Sequence, residues 1–209
     1  MKKKQIKAVL FDLDGVLVDS YRAWFNIFND TLEHFGKSRL TLDQFSKSWG
    51  NPIEKDIDTH FPGKTPQDLI KIYHKSFKKN KDNIKLLPDS SETLVSLHKQ
   101  KLKIALITNS TKLIATKSLE KFNIKKYFNS ILSMEDVENR KPAPDMVLKA
   151  CTNLQVLPKN SILVGDTHND MDAGKNAGCI TAGFKIKGDH TLNKLTDLLD
   201  LIKWKNTKS

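Results

Sequence analysis

The most informative segment of this chain is AVLFDLDGVLVDS, residues 8–20. Its first four residues are apolar and predict a buried β-strand that ends at Asp12. Asp12 and Asp14 are two residues apart, so in an extended chain their side chains point the same way. Two close carboxylates repel each other unless a cation or a shared proton relieves them, and Gly15 allows a sharp turn after them. The stretch predicts a charged site at a strand end, with an ordinary Asp-Gly turn as the alternative.

Further apolar runs along the chain are typical of buried parallel strands. The predicted strands are Ala8–Phe11, Ile104–Ile107, Ile131–Leu132, Ile162–Val164 and Ile180–Phe184. From the second run onward, segments with helical apolar spacing separate them. This alternation predicts an α/β fold with a doubly wound parallel sheet. We also expect a last helix over Leu192–Trp204, covering an edge of the sheet.

The segment between the first two predicted strands has a different pattern. Residues 20–87 show helix signals and almost no strand signal. Thr41 begins a capping-box pattern, and Asn51–Pro52 and Thr65–Pro66 each indicate an N-cap followed by the first helical residue. We therefore predict four short helices that pack on one another.

These helices divide the chain into two units. We predict an inserted all-helical cap over residues 19–87. Residues 1–18 and 88–209 then form the α/β core, which resembles a Rossmann-type sheet. A helix that starts at Pro88–Asp89 returns the chain to the core.

Composition limits the classes of partner. The chain has 209 residues, of which 38% are hydrophobic, enough to bury a substantial core. Its formal net charge of +11 is a feature of nucleic-acid binders. However, only three of the 35 basic residues are arginines, which phosphate and base recognition favours, and the lysines are scattered along the chain. We therefore expect a lysine-rich solvated surface and no nucleic-acid partner.

The sequence also predicts where the protein resides. A basic start, residues 1–7, is followed by an apolar run far shorter than the roughly 7–15 residues of a signal peptide. No run approaches the roughly 20 apolar residues that span a bilayer. Cys151 and Cys179 show neither metal-ligand spacing nor a disulfide framework, which favours a reducing compartment. We expect a cytoplasmic protein with no membrane partner, either a monomer or a weak homodimer.

Polar residues follow two further predicted strands. Thr108 and Asn109 come directly after the second strand and before a helix, where a hydroxyl and free amides bind an anion or simply cap the helix. Lys141 precedes two prolines that stiffen the entry to a later helix. A fixed lysine can neutralise a phosphate, although a lysine is more often a solvated surface residue.

A second acidic pair follows the fourth predicted strand. Asp166 lies at the strand tip and Asp170 near the first turn of the next helix. Acidic residues at a helix start also complement the helix dipole. Carboxylates from two strand ends of one sheet form an oxygen-rich site, which suits Mg²⁺.

In chain order these segments match D-x-D-G, T-N, K-P and G-D-x-x-x-D. With them, the chain resembles the haloacid dehalogenase superfamily over essentially its whole length, in the branch of phosphoglycolate and sugar phosphatases that carry a helical cap. The resemblance implies a Mg²⁺-dependent phosphatase that acts on a small phosphorylated metabolite.

The resemblance also implies a role for each motif residue. The roles are catalysis by Asp12 and Asp14, binding of the phosphoryl group by Thr108, Asn109 and Lys141, and binding of Mg²⁺ by Asp12, Asp14, Asp166 and Asp170. In this mechanism Asp12 attacks phosphorus to form an aspartyl-phosphate. Asp14 protonates the leaving oxygen and then activates water, while its backbone carbonyl holds the metal.

Three alternatives remain within this interpretation. Pyrophosphatase-like members share all four motifs, so pyrophosphate stays a candidate substrate. Phosphoglucomutases carry a histidine in the first cap helix, where this chain has Trp24, which counts against a phosphomutase. A non-catalytic binding module on the same fold would be expected to have lost Asp12 or Asp14, and both are present.

The cap is expected to exclude water and to select the substrate. Arg22, Gly50 and Asn51 are our candidates for substrate contact. The alternative is that Arg22 is a surface charge and that the adjacent Trp49 packs in the core of the cap. His168 lies beside the second acidic pair, and we interpret it as a loop residue.

Overall fold

The computed structural model describes residues 5–207. Residues 1–4 and 208–209, the two ends of the predicted core, lie outside this range. The strands are β1 (Ala8–Phe11), β2 (Val18–Asp19), β3 (Lys85–Leu86), β4 (Lys103–Ile107), β5 (Ser130–Leu132), β6 (Ser161–Gly165), β7 (Ile180–Phe184) and β8 (His190–Leu192). The α-helices are α1 (Tyr21–His34), α2 (Leu42–Ser46), α3 (Ile53–His60), α4 (Pro66–Asn80), α5 (Ser90–Lys99), α6 (Lys112–Lys121), α7 (Asp145–Leu154), α8 (His168–Ala177) and α9 (Asp197–Thr207).

Six strands form one parallel sheet in the order β5-β4-β1-β6-β7-β8. Alternate residues of β1 enter different hydrophobic clusters, because side chains alternate across a strand. Val9 and Phe11 pack with residues of α5, α6 and α9, whereas Ala8 and Leu10 pack with residues of α7 and α8. Helices therefore cover both faces, and the predicted doubly wound parallel sheet is confirmed.

The register of the sheet brings distant motifs to one edge. Phe11, the last residue of β1, pairs with Leu106 of β4 and Val164 of β6. Because the strands are parallel, the residues that follow them emerge together at their carboxyl ends. Asp12 and Asp166 thus lie at the same edge of the sheet, where the order reverses about β1.

Four helices, α1 to α4, form the insert between β2 and β3, as the sequence predicts. Capping boxes start α2 at Thr41 and α4 at Thr65. The prediction for Asn51 was wrong by one position, since α3 begins at Ile53 with Pro52 as its N-cap. The Asn51 side chain instead donates backward to the Lys47 carbonyl at 3.2 Å. The insert is also flanked by a short antiparallel ribbon of β2 and β3, which the helical pattern did not indicate.

The prediction for the C-terminal stretch was partly wrong. A helix is present, but it begins at Asp197, and His190–Leu192 instead form the edge strand β8. The Asp197 carboxylate accepts hydrogen bonds from the backbone amides of Asn193 and Lys194, which places the turn of the chain before the helix. A three-residue strand has no periodicity to read, and only pairing with β7 defines it.

Two further expectations concern features outside the sheet. Cys151 and Cys179, whose spacing indicated no disulfide framework, are both buried and free. Within residues 5–207, no helix has the length and apolar character to cross a membrane.

Candidate active site

A buried ammonium joins two carboxylates at the end of β1. The Lys141 Nζ atom lies 2.8 Å from Asp12 Oδ1 and 2.6 Å from Asp170 Oδ1, and it donates to the Ile107 carbonyl at 3.3 Å. Exposure of Asp12, Lys141 and Asp170 is 6%, 3% and 0%, so solvent hardly screens these charges. Three segments that are far apart in sequence therefore converge on one ion cluster.

Burial and charge together set the protonation of this cluster. Burial raises the pKa of Asp12 well above its usual range; Lys141 opposes the shift and the neighbouring Asp170 and Asp166 add to it. Burial alone would lower the pKa of Lys141, but Asp12 and Asp170 outweigh it and raise that pKa, so Lys141 remains an ammonium. When Asp12, Asp166 and Asp170 are all ionised, the single Lys141 ammonium leaves two of their negative charges uncompensated.

Asp12, Asp166 and Asp170 form an oxygen-rich group that fits a divalent cation. Each offers a carboxylate oxygen, and these oxygens lie within 4.8 Å of one another. Asp166 Oδ1 is buried without a hydrogen-bond partner among the described residues, an arrangement that a bound cation would relieve. Burial, followed by Asp170, raises the pKa of Asp166 to about 7. Carboxylate oxygens are the ligands that Mg²⁺ prefers, so this group suits Mg²⁺.

The Asp14 side chain lies outside this group and is held by three donors. Ser20 Oγ donates to Asp14 Oδ1 at 2.5 Å, and Ser110 Oγ donates to Asp14 Oδ2 at 2.6 Å. Trp24, from the first helix of the insert, adds an indole N–H at 3.1 Å from Asp14 Oδ1. The two serines and the tryptophan donor were missed by sequence reasoning, although Ser20 and Ser110 adjoin the motifs. The role of the Asp14 carbonyl as a metal ligand stays a prediction.

Thr108 and Asn109 line the same cavity as Asp12. Thr108 Oγ1 accepts from the Ser110 amide at 3.0 Å. The Asn109 side chain binds the backbone of Lys141 twice, donating to its carbonyl at 3.0 Å and accepting from its amide at 3.1 Å. Asn109 therefore positions the loop that carries Lys141, in which the Lys141–Pro142 peptide bond is cis.

A local capping box shapes the start of α8. Thr167 caps the helix, and Asp170 Oδ2 accepts from the Thr167 amide at 3.1 Å and hydroxyl at 2.5 Å. One oxygen of Asp170 is thereby used in the helix cap and the other faces Lys141. His168 is exposed and is the first residue of α8, so its interpretation as a loop residue was wrong by one position.

The insert closes over the strand ends through one turn. Trp49 Nε1 donates to Asp166 Oδ2 at 3.0 Å. The Gly50 carbonyl accepts from the side chains of Asn109 at 3.3 Å and Asn169 at 2.9 Å. Gly50 and Asn51 both line the cavity between insert and sheet.

The structure does not bring Arg22 to this cavity, which corrects its prediction as a substrate contact. Arg22 is exposed in the first turn of α1, and its guanidinium lies 5.4 Å from the centroid of the Phe25 ring. Helix α1 directs Arg22 toward solvent, as a surface charge.

Gly15→Ala is expected to destabilise the fold and to disturb the metal group, that is, the carboxylates of Asp12, Asp166 and Asp170. Gly15 has φ +80°, and an added Cβ would overlap the Asp166 carboxylate. We expect a loss of stability of at least about 2 kcal/mol and weaker Mg²⁺ binding, measured by urea unfolding and by the thermal shift that Mg²⁺ induces.

Gly36→Ala is the matched control for this substitution. Gly36 has φ +68°, yet nothing lies within 4 Å of an added Cβ. It carries the same backbone penalty, about 1 kcal/mol, without the overlap. Equal losses in the two variants would show that Asp166 does not require the space at Gly15.

Comparison with known proteins is consistent across sequence and structure. A profile of the haloacid dehalogenase-like hydrolases matches residues 9–184. Pyrophosphatase PpaX of Halalkalibacterium halodurans is 30% identical over 95% of this chain and 97% of its own length. Phosphoglycolate phosphatase of Aquifex aeolicus is 29% identical over 94% and 97%, respectively. The crystal structure of β-phosphoglucomutase from Clostridium difficile, at 20% identity, has a TM-score of 0.81 over 98% of each chain, a likeness of fold alone.

Proposed function

Because this chain belongs to the haloacid dehalogenase-like hydrolases and is a hydrolase of phosphoric ester bonds, we propose that it is a Mg²⁺-dependent phosphatase that acts through an aspartyl-phosphate on Asp12. Its substrate is a small phosphomonoester, similar to phosphoglycolate or a sugar phosphate. The observation that carries this proposal is the buried Asp12–Lys141–Asp170 cluster beside the unpaired oxygen of Asp166.

Binding of the phosphoryl group follows from the donors at the strand ends. Lys141 supplies a permanent positive charge next to Asp12. The Thr108 hydroxyl and the Asn109 amide, which follow β4 at the cavity, supply hydrogen-bond donors. These groups are fixed before the substrate arrives, and such preorganised charge stabilises the transition state of phosphoryl transfer.

Asp12, Asp166 and Asp170 would hold the metal, with the Asp14 carbonyl as a further proposed ligand. Bound Mg²⁺ would neutralise charge on the phosphoryl oxygens and let them approach the Asp12 carboxylate. Its two positive charges match the two that the carboxylates leave uncompensated beside Lys141.

Asp12 and Asp14 then have different roles in the reaction. An Asp12 oxygen bonds to phosphorus as the bond to the leaving oxygen breaks. Asp14, held by two hydroxyls and an indole N–H, gives its proton to that oxygen and regains one from the water that hydrolyses the aspartyl-phosphate. Free carboxylate and inorganic phosphate are the products.

We assign residues 19–87 to a cap that excludes water and selects the leaving group. The contacts of Trp49 with Asp166 and of Gly50 with Asn109 support this assignment, since they join the insert to the metal group and to the Lys141 loop. The cytoplasmic location and the monomeric or weakly dimeric state remain predictions.

Pyrophosphate is the second candidate substrate, favoured by the relatives named pyrophosphatase PpaX. A phosphomutase is a weaker candidate. Trp24 stands where mutases carry histidine, and its N–H is committed to Asp14, so that position offers no proton acceptor.

Chelation tests the proposed function directly. With p-nitrophenyl phosphate as substrate, EDTA is expected to lower turnover by about 100-fold or more, and added Mg²⁺ is expected to restore it. Mg²⁺ should also raise the melting temperature of the wild-type protein, and Asp166→Asn should lose that shift. Full turnover in EDTA would contradict a metal-dependent mechanism.

A further inference from the structure

The part of the cavity that the insert contributes carries no positive charge among the residues described. Its polar side chains are Ser48, Asn51, Asp56 and Tyr73, and its other walls are aromatic or aliphatic. The one cationic side chain in the described lining is Lys141, on the sheet side. Lys141 is already engaged by Asp12 and Asp170, so no lysine or arginine of the cavity faces the leaving group.

Asp56 is the notable group in this half of the cavity. It lies on α3, is 8% exposed and has no ion-pair partner within 4.0 Å in the described chain. Its contact with the Asn51 side-chain amide is long, at 3.4 Å. Burial raises the pKa of Asp56 to about 7, while the side chains of Asn51 and Ser48 and the charge of Lys55 oppose the shift. The structure therefore places a buried carboxyl group without a cationic partner at the wall of the cavity.

A chain of contacts connects Asp56 with the leaving-group side of the site. Trp24 donates to Asp14, the proposed acid for the leaving oxygen. The Trp24 ring packs edge-to-face on Tyr73, with centroids 5.4 Å apart. Tyr73 and Asp56 both line the cavity, and after burial the Asp56 carboxylate is the group that raises the pKa of Tyr73. Asp14, Trp24, Tyr73 and Asp56 all line the same cavity.

We propose that Asp56 determines specificity, favouring phosphomonoesters of neutral polyols, whose hydroxyl donates to its carboxylate, over those whose leaving group carries a carboxylate or a second phosphate. This inference rests on the proposed phosphatase function and, among the substrates named there, selects the sugar phosphates over phosphoglycolate and pyrophosphate. A hydroxyl of the leaving group adds a hydrogen-bond donor to a carboxylate that has no cationic partner. A second anion would face Asp56 with no cation between them, in a site where water screens little. A site built to pair with a donor also discriminates strongly against an analogue without it.

Glycerol 3-phosphate and 3-phosphoglycerate provide a matched test, because they differ only in a hydroxymethyl group against a carboxylate. At about pH 8, where the Asp56 carboxyl is ionised, we expect kcat/KM to favour glycerol 3-phosphate by about ten-fold or more. Asp56→Asn is expected to bring this ratio toward one. Asp58→Asn, which removes the same charge from an exposed position of α3, should keep the wild-type ratio.

Turnover of p-nitrophenyl phosphate in the same preparations separates the two proposals. Hydrolysis of that ester with no preference for glycerol 3-phosphate, or with a preference for 3-phosphoglycerate or pyrophosphate, would overturn the role of Asp56 and leave the phosphatase standing. An unchanged ratio in Asp56→Asn would overturn it too. Asp56→Ser provides the same comparison if Asp56→Asn does not fold. No hydrolysis of any ester by the folded, Mg²⁺-loaded wild type would refute the phosphatase itself.

Discussion

Asp12→Asn is expected to lower phosphatase turnover by roughly 10⁴-fold or more. The amide has nearly the shape of the carboxylate, but it cannot attack phosphorus, and it is a poorer metal ligand. The fold should survive, because burial already disfavours the charge of Asp12 and Lys141 keeps its 2.6 Å contact with Asp170. Steady-state turnover of p-nitrophenyl phosphate with Mg²⁺ measures the loss of activity. A urea unfolding curve measures whether the fold survives.

The control for Asp12→Asn is Asp172→Asn. Asp172 is an exposed acidic residue on α8, close in sequence to the metal group. Its replacement removes one negative charge while sparing the cluster, so turnover should stay near that of the wild type. Acid-quenched wild-type enzyme should carry phosphate on Asp12, detectable by peptide mass spectrometry. Substantial turnover in Asp12→Asn, or phosphate found on another residue, would displace Asp12 as the nucleophile.

Lys141→Met is expected to cost about 3–5 kcal/mol of unfolding free energy in the metal-free protein and to abolish turnover. Methionine fills much of the same volume, so the loss is electrostatic: Asp12 and Asp170 stay buried, and each loses its ammonium contact. Urea denaturation with chelator measures the stability. The corresponding change at the exposed Lys175 of α8 should cost less than about 0.5 kcal/mol.

A double variant makes the electrostatic explanation testable. Adding Asp170→Asn to Lys141→Met removes one of the two carboxylates that lost their partner. The double variant should therefore be more stable, by about 1–3 kcal/mol, than the sum of the losses of the two single variants predicts. Strict additivity, or a Lys141→Met variant as stable as the Lys175 control, would show that the buried ammonium does not hold the cluster together.

Local sequence signals account for most of the sheet and for the residues placed at its edge. Each predicted strand is a short apolar run, and every one is present because such a run can be buried only by neighbours on both sides. Asp12 and Asp166 directly follow two of these runs, so the parallel order alone brings them together. Thr41 and Thr65 start helices through bonds to residues three positions ahead, which is also a local property.

Local signals failed where an element depends on a distant partner. Strand β8 is defined by pairing with β7, and the ribbon of β2 and β3 joins segments on either side of the insert. Arg22 was predicted to contact the substrate, whereas the rotation of helix α1 directs it to solvent. In each case the deciding contact involves residues that the local pattern does not contain.

By itself, the sequence determined the α/β alternation, the four-helix insert and the acidic strand ends, since each rests on the spacing of residues within one segment. Tertiary structure alone decided that Trp24 donates to Asp14, that Trp49 donates to Asp166 across 117 positions, and that Asp56 faces the cavity. These contacts depend on how the insert packs against the sheet. That packing is a sum of many weak contacts between surfaces, and no single stretch of the chain encodes it.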